Sequence, residues 1–339
     1  MDHSSEAKKH PARRLRPFLW GAGALLLSAA AYLLIAPLTE THPSLTVEGS
    51  ADWMSRLPDE RLLSELFIPG THDSGADFAQ LAYFSKCQSS GIRTQLEEGF
   101  RYLDIRLGVL ESDDPQELRF FHGICACRTG VWPWSAPLTL EAALSDCYAF
   151  LDAHPSETVL FCVKFQQGDD TVELQRLLAK AIEKAPRYWL LTDRLPTLGE
   201  ARGKLVLLRR YPDAADLEEK AGLYLYWRDQ GSRLDTTLSD AFSHLSFGLL
   251  QVQDRYQYDT EEKWTAFTAG LASDDDADLR LHFLSTNGSP AFGHPYGYAR
   301  KLNRRLLEWM PGDITPAWII VDFSDASLAE KIYRLNDPG

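Results

Sequence analysis

The chain has 339 residues, of which 45% are apolar and 24% are charged, and its formal net charge is −13. This length allows one large domain or two small ones, and an aromatic content of 11% argues against extensive disorder. An acidic protein is a poor ligand for nucleic acid, because neutralising phosphate groups requires positive charge. Nucleic acid is therefore not an expected partner.

The N-terminal segment has the features of a membrane anchor. Five lysines and arginines within residues 1–17 precede an uncharged apolar run that extends from Phe18 to about Leu38. About 20 apolar residues are enough to cross a bilayer as a helix, whereas a cleaved signal peptide has a shorter apolar core. The positive charges favour a cytoplasmic N-terminus. We predict a basic cytoplasmic tail (1–17), a transmembrane signal anchor (18–38), a linker (39–52) and an extracytoplasmic catalytic domain (53–339). Cleavage of the anchor, which would give a secreted protein, stays an open alternative.

Strand-like apolar runs and helix-like patterns alternate beyond residue 53. Strands are predicted at 65–72, 102–109, 119–123, 158–165, 204–211, 246–256, 279–286 and 317–323. Helices are predicted at 138–153, 171–184, 260–272, 298–309 and 326–335, and Thr139 followed by Glu141 is a typical helix start. The strand runs are almost continuously apolar, as is typical of buried parallel strands. This alternation predicts an α/β fold with a (β/α) barrel, for which about 250 residues is usual.

Ionisable side chains cluster where the predicted strands end. They are His72, Asp73, Asp104, Arg106, His122, Lys164, Arg210, Asp254, Tyr256 and Asp322. In a parallel barrel the carboxyl ends of the strands assemble the active site. Two imidazoles can serve as base and acid, and the guanidinium of an arginine can bind a phosphate. This inventory indicates phosphodiester cleavage.

Each of these assignments has a structural alternative. A histidine at a strand end is often only a hydrogen-bonded structural residue, and Asp322 can cap a helix instead of orienting His72. Arg106 can form a salt bridge with Asp104 in addition to binding phosphate. Arg209 can be the inward residue in place of Arg210.

The cysteines and acidic residues do not indicate a metal site. Five cysteines fit an extracytoplasmic setting with one or two disulfides and one remaining thiol, and the spacing of Cys125 and Cys127 is not that of zinc ligands. The acidic run at 274–278 lacks the glycine and the final glutamate of a calcium-binding loop. We expect no metal and no cofactor.

Three short motifs occur in a characteristic order: Gly-Thr-His-Asp-Ser at 70–74, Leu-Asp-Ile-Arg at 103–106 and Phe-His-Gly at 121–123. With them, the chain resembles the phosphatidylinositol-specific phospholipase C X-domain family in its single-domain bacterial form, over residues 54–335. Shorter matching pieces lie at 163–165, 202–211, 253–256 and 320–323. The resemblance implies a distorted TIM barrel that cleaves phosphatidylinositol, or its glycosylated form, at a membrane surface. The inositol 2-hydroxyl attacks phosphorus, diacylglycerol leaves, and a cyclic inositol phosphate forms.

The resemblance also implies a role for each site residue. His72 is the general base with Asp322 as its partner, His122 is the general acid assisted by Asp73, and Arg106, with Asp104 beside it, holds the phosphate. The residues expected to contact the inositol ring are Lys164, Arg210, Asp254 and Tyr256. Trp132 and Trp134 are expected either in the lipid headgroup zone or packed on the barrel rim. At Gln166 many family members carry a carboxylate, so the chain departs from the family pattern there.

Two competing functions remain at the sequence level. One is a non-catalytic barrel that binds a phosphorylated ligand. The other is a metal-dependent phosphodiesterase that resembles a glycerophosphodiesterase, in which metal-bound carboxylates do the chemistry. A chelator distinguishes them: it should inactivate a metal-dependent phosphodiesterase, whereas the resemblance to the phospholipase C family implies an enzyme that a chelator does not affect.

Overall fold

The computed structural model describes residues 12–40, 47–110, 116–168, 171–212, 222–230, 242–245, 248–288 and 293–337, with backbone alone at 12–19 and 242–245. Residues 1–11 of the predicted basic tail and 41–46 of the predicted linker therefore lie outside the described residues. The strands are β1 (Ile68–Thr71), β2 (Tyr102–Gly108), β3 (Arg119–His122), β4 (Cys125–Ala126), β5 (Val159–Gln167), β6 (Trp189–Leu190), β7 (Leu205–Arg209), β8 (Leu223–Tyr224), β9 (Phe242–Leu245), β10 (Gly248–Gln253), β11 (Leu279–Phe283) and β12 (Trp318–Val321). The helices are α1 (Ala12–Thr39), α2 (Ala82–Ser85), α3 (Ile92–Glu97), α4 (Leu140–Ala153), α5 (Thr171–Glu183), α6 (Leu198–Ala201), α7 (Thr260–Leu271), α8 (Pro295–Glu308) and α9 (Ala326–Tyr333).

The strands form one curled, mainly parallel sheet. Its order is β6, β7, β5, β2, β1, β12, β11, β10 and β9, so the first strand pairs with the last parallel one. One edge of β7 pairs with β5. Along the other edge, β6 pairs with the first half of β7 and β8 pairs with its second half. The eighth barrel position is thus divided between two short strands. Among the described strands β8 and β10 share no ladder. Gln230 spans the gap by donating to the Val252 carbonyl and accepting from the Asp254 amide.

Alternation along the strands decides which side chains enter the barrel. Successive side chains of a strand point to opposite faces. In β2 the interior set is Tyr102, Asp104 and Arg106, whereas Leu103 and Ile105 pack with the surrounding helices. By the same alternation, Cys162 and Lys164 of β5 point into the barrel. Leu208 of β7 and Arg210, just after it, do so as well. The interior is apolar at the amino ends and charged at the carboxyl ends.

The long predicted helices begin and end within three residues of their predicted limits. Thr139 caps α4 by accepting from the Ala142 amide, and Asp259 caps α7 by accepting from two amides of its first turn. These caps stabilise helix ends whose first amides have no partner within the helix. The predicted α/β barrel is confirmed in its distorted form.

Two expectations are wrong. The strand that carries His122 was expected to belong to the parallel set, but β3 pairs antiparallel with β2 and forms a hairpin with β4. The expected disulfides are also absent, because all five cysteines are free and buried. They pack as small apolar side chains, Cys162 inside the barrel and Cys147 on the buried face of α4.

Candidate active site

The pairing of the first and last strands brings His72 and Asp322 together. Thr71 lies opposite Val321 in the parallel ladder, so the next residue of each strand is at the same end of the barrel. Nδ1 of His72 lies 2.8 Å from Oδ1 of Asp322. A carboxylate only accepts hydrogen bonds, so Nδ1 carries a proton and Nε2 points away from Asp322. This is the arrangement of an oriented general base.

The charges around His72 favour its protonated form. Burial of the ring opposes the positive charge, but the carboxylates of Asp322 and Asp73 outweigh burial and the nearby guanidinium of Arg106. The pKa of His72 is therefore raised above its usual value. A base with a raised pKa is closer to physiological pH and accepts a proton more strongly.

Arg106 occupies the centre of the site. Its Nη2 lies 2.8 Å from Nε2 of His72 and 2.9 Å from Oδ2 of Asp104, and its Nη1 lies 3.1 Å from Oδ2 of Asp73. Burial would raise the pKa of the Asp104 carboxyl, but Arg106 and Arg210 hold it well below its usual range. Asp104 thus keeps a permanent negative charge that fixes the guanidinium at the mouth of the barrel.

His122 reaches the same place from the β3–β4 hairpin. Its Nδ1 donates to the Ser85 carbonyl at 2.8 Å, which leaves Nε2 facing Oδ2 of Asp73 at 3.5 Å. The ring centroids of His72 and His122 are 6.2 Å apart. The carboxylate of Asp73 therefore lies between the two imidazoles.

Asp73 holds this position in a backbone conformation that non-glycine residues rarely adopt. Its φ is +43°, and Phe323, which follows Asp322, has a φ of +53°. Left-handed backbone at a non-glycine residue carries strain that the surrounding structure must offset. The hydrogen bond from the Ser74 amide to the Asp104 carbonyl, 3.0 Å long, helps to hold this turn.

The strand ends surround a cavity of about 450 Å³. The groups predicted to contact a headgroup all line it: Lys164, Arg210, Asp254 and Tyr256. Burial lowers the pKa of Lys164, and the positive charges of Arg210 and Arg106 act in the same direction. A cavity with this concentration of positive charge favours an anionic ligand of small size.

No family model matches the chain. The 1-phosphatidylinositol phosphodiesterase of Staphylococcus aureus (strain NCTC 8325 / PS 47) is 27% identical over 322 residues, which cover 88% of this chain and 92% of the relative. The protein of the same name from Listeria monocytogenes is 30% identical over 306 residues and is matched over 84% of both chains. The chain belongs to the bacterial phosphatidylinositol-specific phospholipase C family.

Solved structures of this family have the same fold. A crystal structure of phosphatidylinositol-specific phospholipase C from Staphylococcus aureus superposes with a TM-score of 0.65 at 23% identity, covering 85% of this chain and 99% of that one. The resemblance based on the three short motifs is thereby confirmed.

Several cavity residues were not predicted from the sequence. Trp227 lies against Arg210, whose guanidinium carbon is 3.9 Å from the ring centroid, and the indole donates to Asp254 at 3.1 Å. Asp229 accepts from the Tyr256 hydroxyl at 2.8 Å, and burial together with this carboxylate raises the pKa of Tyr256 to about 12. The run Trp-Arg-Asp at 227–229 directly follows a strand-like segment. This position at a strand end is the one local signal from which these residues could have been predicted.

The glutamines after β5 support the hairpin that carries His122. Gln166 accepts from the Gly123 amide at 2.9 Å, and Gln167 donates to the Gly123 carbonyl at 2.8 Å. Gln166 thus lies both at the cavity wall and against the turn that follows His122. Gln88 plays a comparable part on the other side. It donates to the His72 and Val321 carbonyls and accepts from the Ser324 amide.

One group of possible metal ligands lies within the described part of the chain. Ligand atoms of His72, Asp73 and Cys87 lie within 4.8 Å of one another. The guanidinium of Arg106 contacts both His72 and Asp73 at 2.8 and 3.1 Å, so a cation there would face a permanent positive charge at close range. The donor set does not fit a divalent cation.

Proposed function

We propose that the protein cleaves phosphatidylinositol-type lipids by intramolecular transfer, giving diacylglycerol and a cyclic inositol phosphate. The observation that carries this proposal is the placement of the Asp73 carboxylate between two imidazoles at the mouth of the barrel, with the guanidinium of Arg106 in contact with both Asp73 and His72. Family membership supplies the substrate class, since the relatives are named 1-phosphatidylinositol phosphodiesterase.

His72 acts as the base. Its Nε2 takes the proton of the inositol 2-hydroxyl while that oxygen forms a bond to phosphorus. Asp322, 2.8 Å from Nδ1, stabilises the imidazolium that results. The nucleophile belongs to the substrate itself, so binding in the right conformation supplies most of the positioning.

Arg106 stabilises the negative charge on the non-bridging oxygens of the phosphate in the transition state. Its planar fork can donate two hydrogen bonds to the non-bridging oxygens, and Asp104 and Asp73 preorganise it. In the structure Nη2 donates to Nε2 of His72, so a bound phosphate competes with the imidazole for this donor. Substrate binding therefore frees the base.

His122 completes the reaction as the acid. The bond from phosphorus to the glycerol oxygen breaks as Nε2 of His122 gives its proton to that oxygen. Asp73, 3.5 Å away, stabilises the protonated ring before the transfer. Lys164, Arg210, Asp254 and Tyr256 bind the hydroxyls and the face of the inositol ring from the opposite wall of the cavity.

The helix α1 is the proposed anchor. It contains 20 residues, Trp20–Thr39, that are long and apolar enough to cross a bilayer, and most of their side chains are exposed in the structure. The basic N-terminus favours a cytoplasmic start and an extracytoplasmic barrel. Trp132 and Trp134, which are exposed and stacked at a centroid distance of 5.2 Å, would lie in the headgroup zone.

The deciding experiment is phosphorus NMR of the products from phosphatidylinositol in the presence of a chelator. A cyclic phosphodiester resonance that grows with time is expected, and neither His72→Ala nor His122→Ala should produce it at a comparable rate. Retained binding with no turnover would instead favour a non-catalytic barrel. Loss of activity on adding the chelator would favour a metal-dependent phosphodiesterase.

A further inference from the structure

The end of α1 is bound to the barrel through a set of buried polar contacts. Lys86, which is 5% exposed, donates from Nζ to the Pro37 carbonyl at 3.1 Å and to the Glu40 carbonyl at 3.0 Å. Nε2 of His294 lies 2.6 Å from Oε1 of Glu40, which is 4% exposed. A buried charge needs hydrogen-bond partners, so separating α1 from the barrel would remove the two carbonyl acceptors of the Lys86 ammonium.

Contacts between α1 and the barrel also occur about two turns before the end of the helix. The rings of Tyr32 and Tyr83 meet edge to face at 5.9 Å, and Tyr83 stacks on His294 at 4.0 Å. Tyr32 precedes Thr39 by seven residues, or about 10 Å of helix. The barrel therefore overlaps the last two turns of α1. A helix that crosses the hydrocarbon layer would carry this overlap into one leaflet, because each headgroup layer is only about 5–8 Å thick.

The barrel surface at this level is apolar and open. Its exposed side chains are Phe78, Leu81, Phe84, Val131, Trp132 and Trp134, which we call the apolar rim. A groove of about 820 Å³ separates part of this rim from α1 and is lined by Leu33, Leu34 and Leu38 on the helix side. The groove continues the lipid-facing surface of α1, so lipid acyl chains of the same leaflet are the occupants that match its chemistry.

The apolar rim is also connected to the active site. Leu81 and Phe84 precede Ser85, whose carbonyl accepts from His122, and Gln88 donates to the His72 carbonyl. The catalytic mouth therefore lies beside the surface that faces the anchor's leaflet.

We propose that residues 32–40 of α1 dock on Tyr83, Lys86 and His294 and hold the barrel with its mouth against the membrane that α1 enters. The protein then cleaves lipids of its own leaflet, and the docked contacts, rather than the tether alone, set the orientation. This inference rests on the proposed anchor and on the proposed function.

The first test removes the contacts from the anchor side only. Full-length protein is reconstituted into vesicles that contain long-chain phosphatidylinositol, and cleavage is compared with that of a water-soluble short-chain analogue. Tyr32→Ser combined with Glu40→Ala should lower cleavage of the long-chain lipid about tenfold, the size of a lost hydrogen bond to a charged group. The short-chain analogue should be cleaved at the parental rate. Leu26→Ala, on an exposed part of the same helix, is the matched control and should change neither rate.

A second variant separates docking from tethering. A flexible Gly-Ser insertion within residues 41–46 lengthens the tether without touching the docked residues. Long-chain cleavage should stay at the parental rate if docking orients the barrel. A large loss with the insertion, parental activity of the Tyr32→Ser/Glu40→Ala variant, or equal loss on both substrates would each overturn the proposal.

A geometric readout keeps the inference testable apart from catalysis. With Tyr32→Cys and Tyr83→Cys in the full chain, a short bifunctional thiol reagent should cross-link the pair in vesicles without substrate. Leu26→Cys with Tyr83→Cys should not cross-link. No cross-link at 32 and 83 would refute docking, whereas cross-linking in a protein that produces no cyclic phosphate would refute only the proposed function.

Discussion

Nη2 of Arg106 lies 2.8 Å from Nε2 of His72, the ring nitrogen that faces away from Asp322. A guanidinium only donates hydrogen bonds, so this nitrogen presents its lone pair. The same arginine is the group best placed to bind a phosphate. The proposed phosphate ligand thus covers the ring nitrogen of the proposed base.

Asp322→Asn should change the pH dependence as well as the rate. The base must be neutral to act, so kcat/KM falls as the pH drops below the pKa of His72, which the two carboxylates raise above its usual value. Removing one carboxylate lowers that pKa, so the acidic limb should move to lower pH. The plateau should fall about 10²–10⁴-fold with loss of ring orientation. A pH–rate profile of both proteins tests this, and an unmoved limb would show that Asp322 does not govern His72.

Arg106→Lys should be far from conservative. Lysine retains the charge but cannot donate to Asp104, Asp73 and a phosphate in one plane, so kcat/KM should fall about 10²–10³-fold. Arg106→Met should lose at least as much activity and also unfold at lower denaturant concentration. The reason is that Asp104 is fully buried and would keep only the Asp73 amide at 3.3 Å and its longer contact with Arg210. Parental kcat/KM in the lysine variant would contradict the role of the planar fork.

Trp227 should affect binding of the headgroup more than the chemical step. Its ring covers the guanidinium of Arg210 and its Nε1–H donates to Asp254. Trp227→Phe keeps a ring but loses the donor, and Trp227→Ala loses both. We expect KM to rise by about tenfold for phenylalanine and by about 100-fold for alanine, because a hydrogen bond to a charged group and a desolvated cation–π contact each contribute about 1–2 kcal/mol. Steady-state kinetics with unchanged KM in the alanine variant would remove Trp227 from the binding site.

The exposed tryptophan pair should matter only at a lipid surface. Trp132→Ala combined with Trp134→Ala should weaken binding to phosphatidylinositol vesicles and slow cleavage there, while the rate on a water-soluble short-chain analogue stays unchanged. The reason is that indole rings prefer the headgroup zone of a bilayer. Vesicle sedimentation and rates on the two substrates measure this. Unaltered vesicle binding would assign the pair to rim packing alone.

The Arg101–Glu157 ion pair should be essential for stability. Both side chains are fully buried and lie 2.9 Å apart, and the guanidinium also donates to the Ala51 and Leu96 carbonyls. Glu157→Gln leaves a buried charge without its counter-ion, so the free energy of unfolding should fall by about 3–5 kcal/mol. As a control, Glu330→Gln breaks the i,i+4 pair with Arg334 near the surface and should cost less than about 1 kcal/mol. Denaturant titration of the two variants measures the difference, and equal values would contradict this assignment.

Much of this molecule follows from local sequence pattern. Apolar runs that end in His72, Asp104, Lys164 and Asp322 predicted the strands and their carboxyl ends, because burial on both faces of a parallel strand leaves a continuous apolar signature. Helix limits followed from residues such as Thr139, whose side chain caps the first turn. The family followed from three motifs in order, since residues with the right chemistry at strand ends are already the main parts of the site.

Other features depend on contacts that no local pattern encodes. His122 enters the site from an antiparallel hairpin, and Trp227 reaches Arg210 only because the eighth barrel position is divided between two short strands. The choice of Arg210 over Arg209 depends on the register of β7 relative to β5, and the free cysteines depend on how each packs. Composition and periodicity report the environment of one segment at a time. Which side chains of distant segments meet is decided by the closure of the sheet, which sums many long-range contacts.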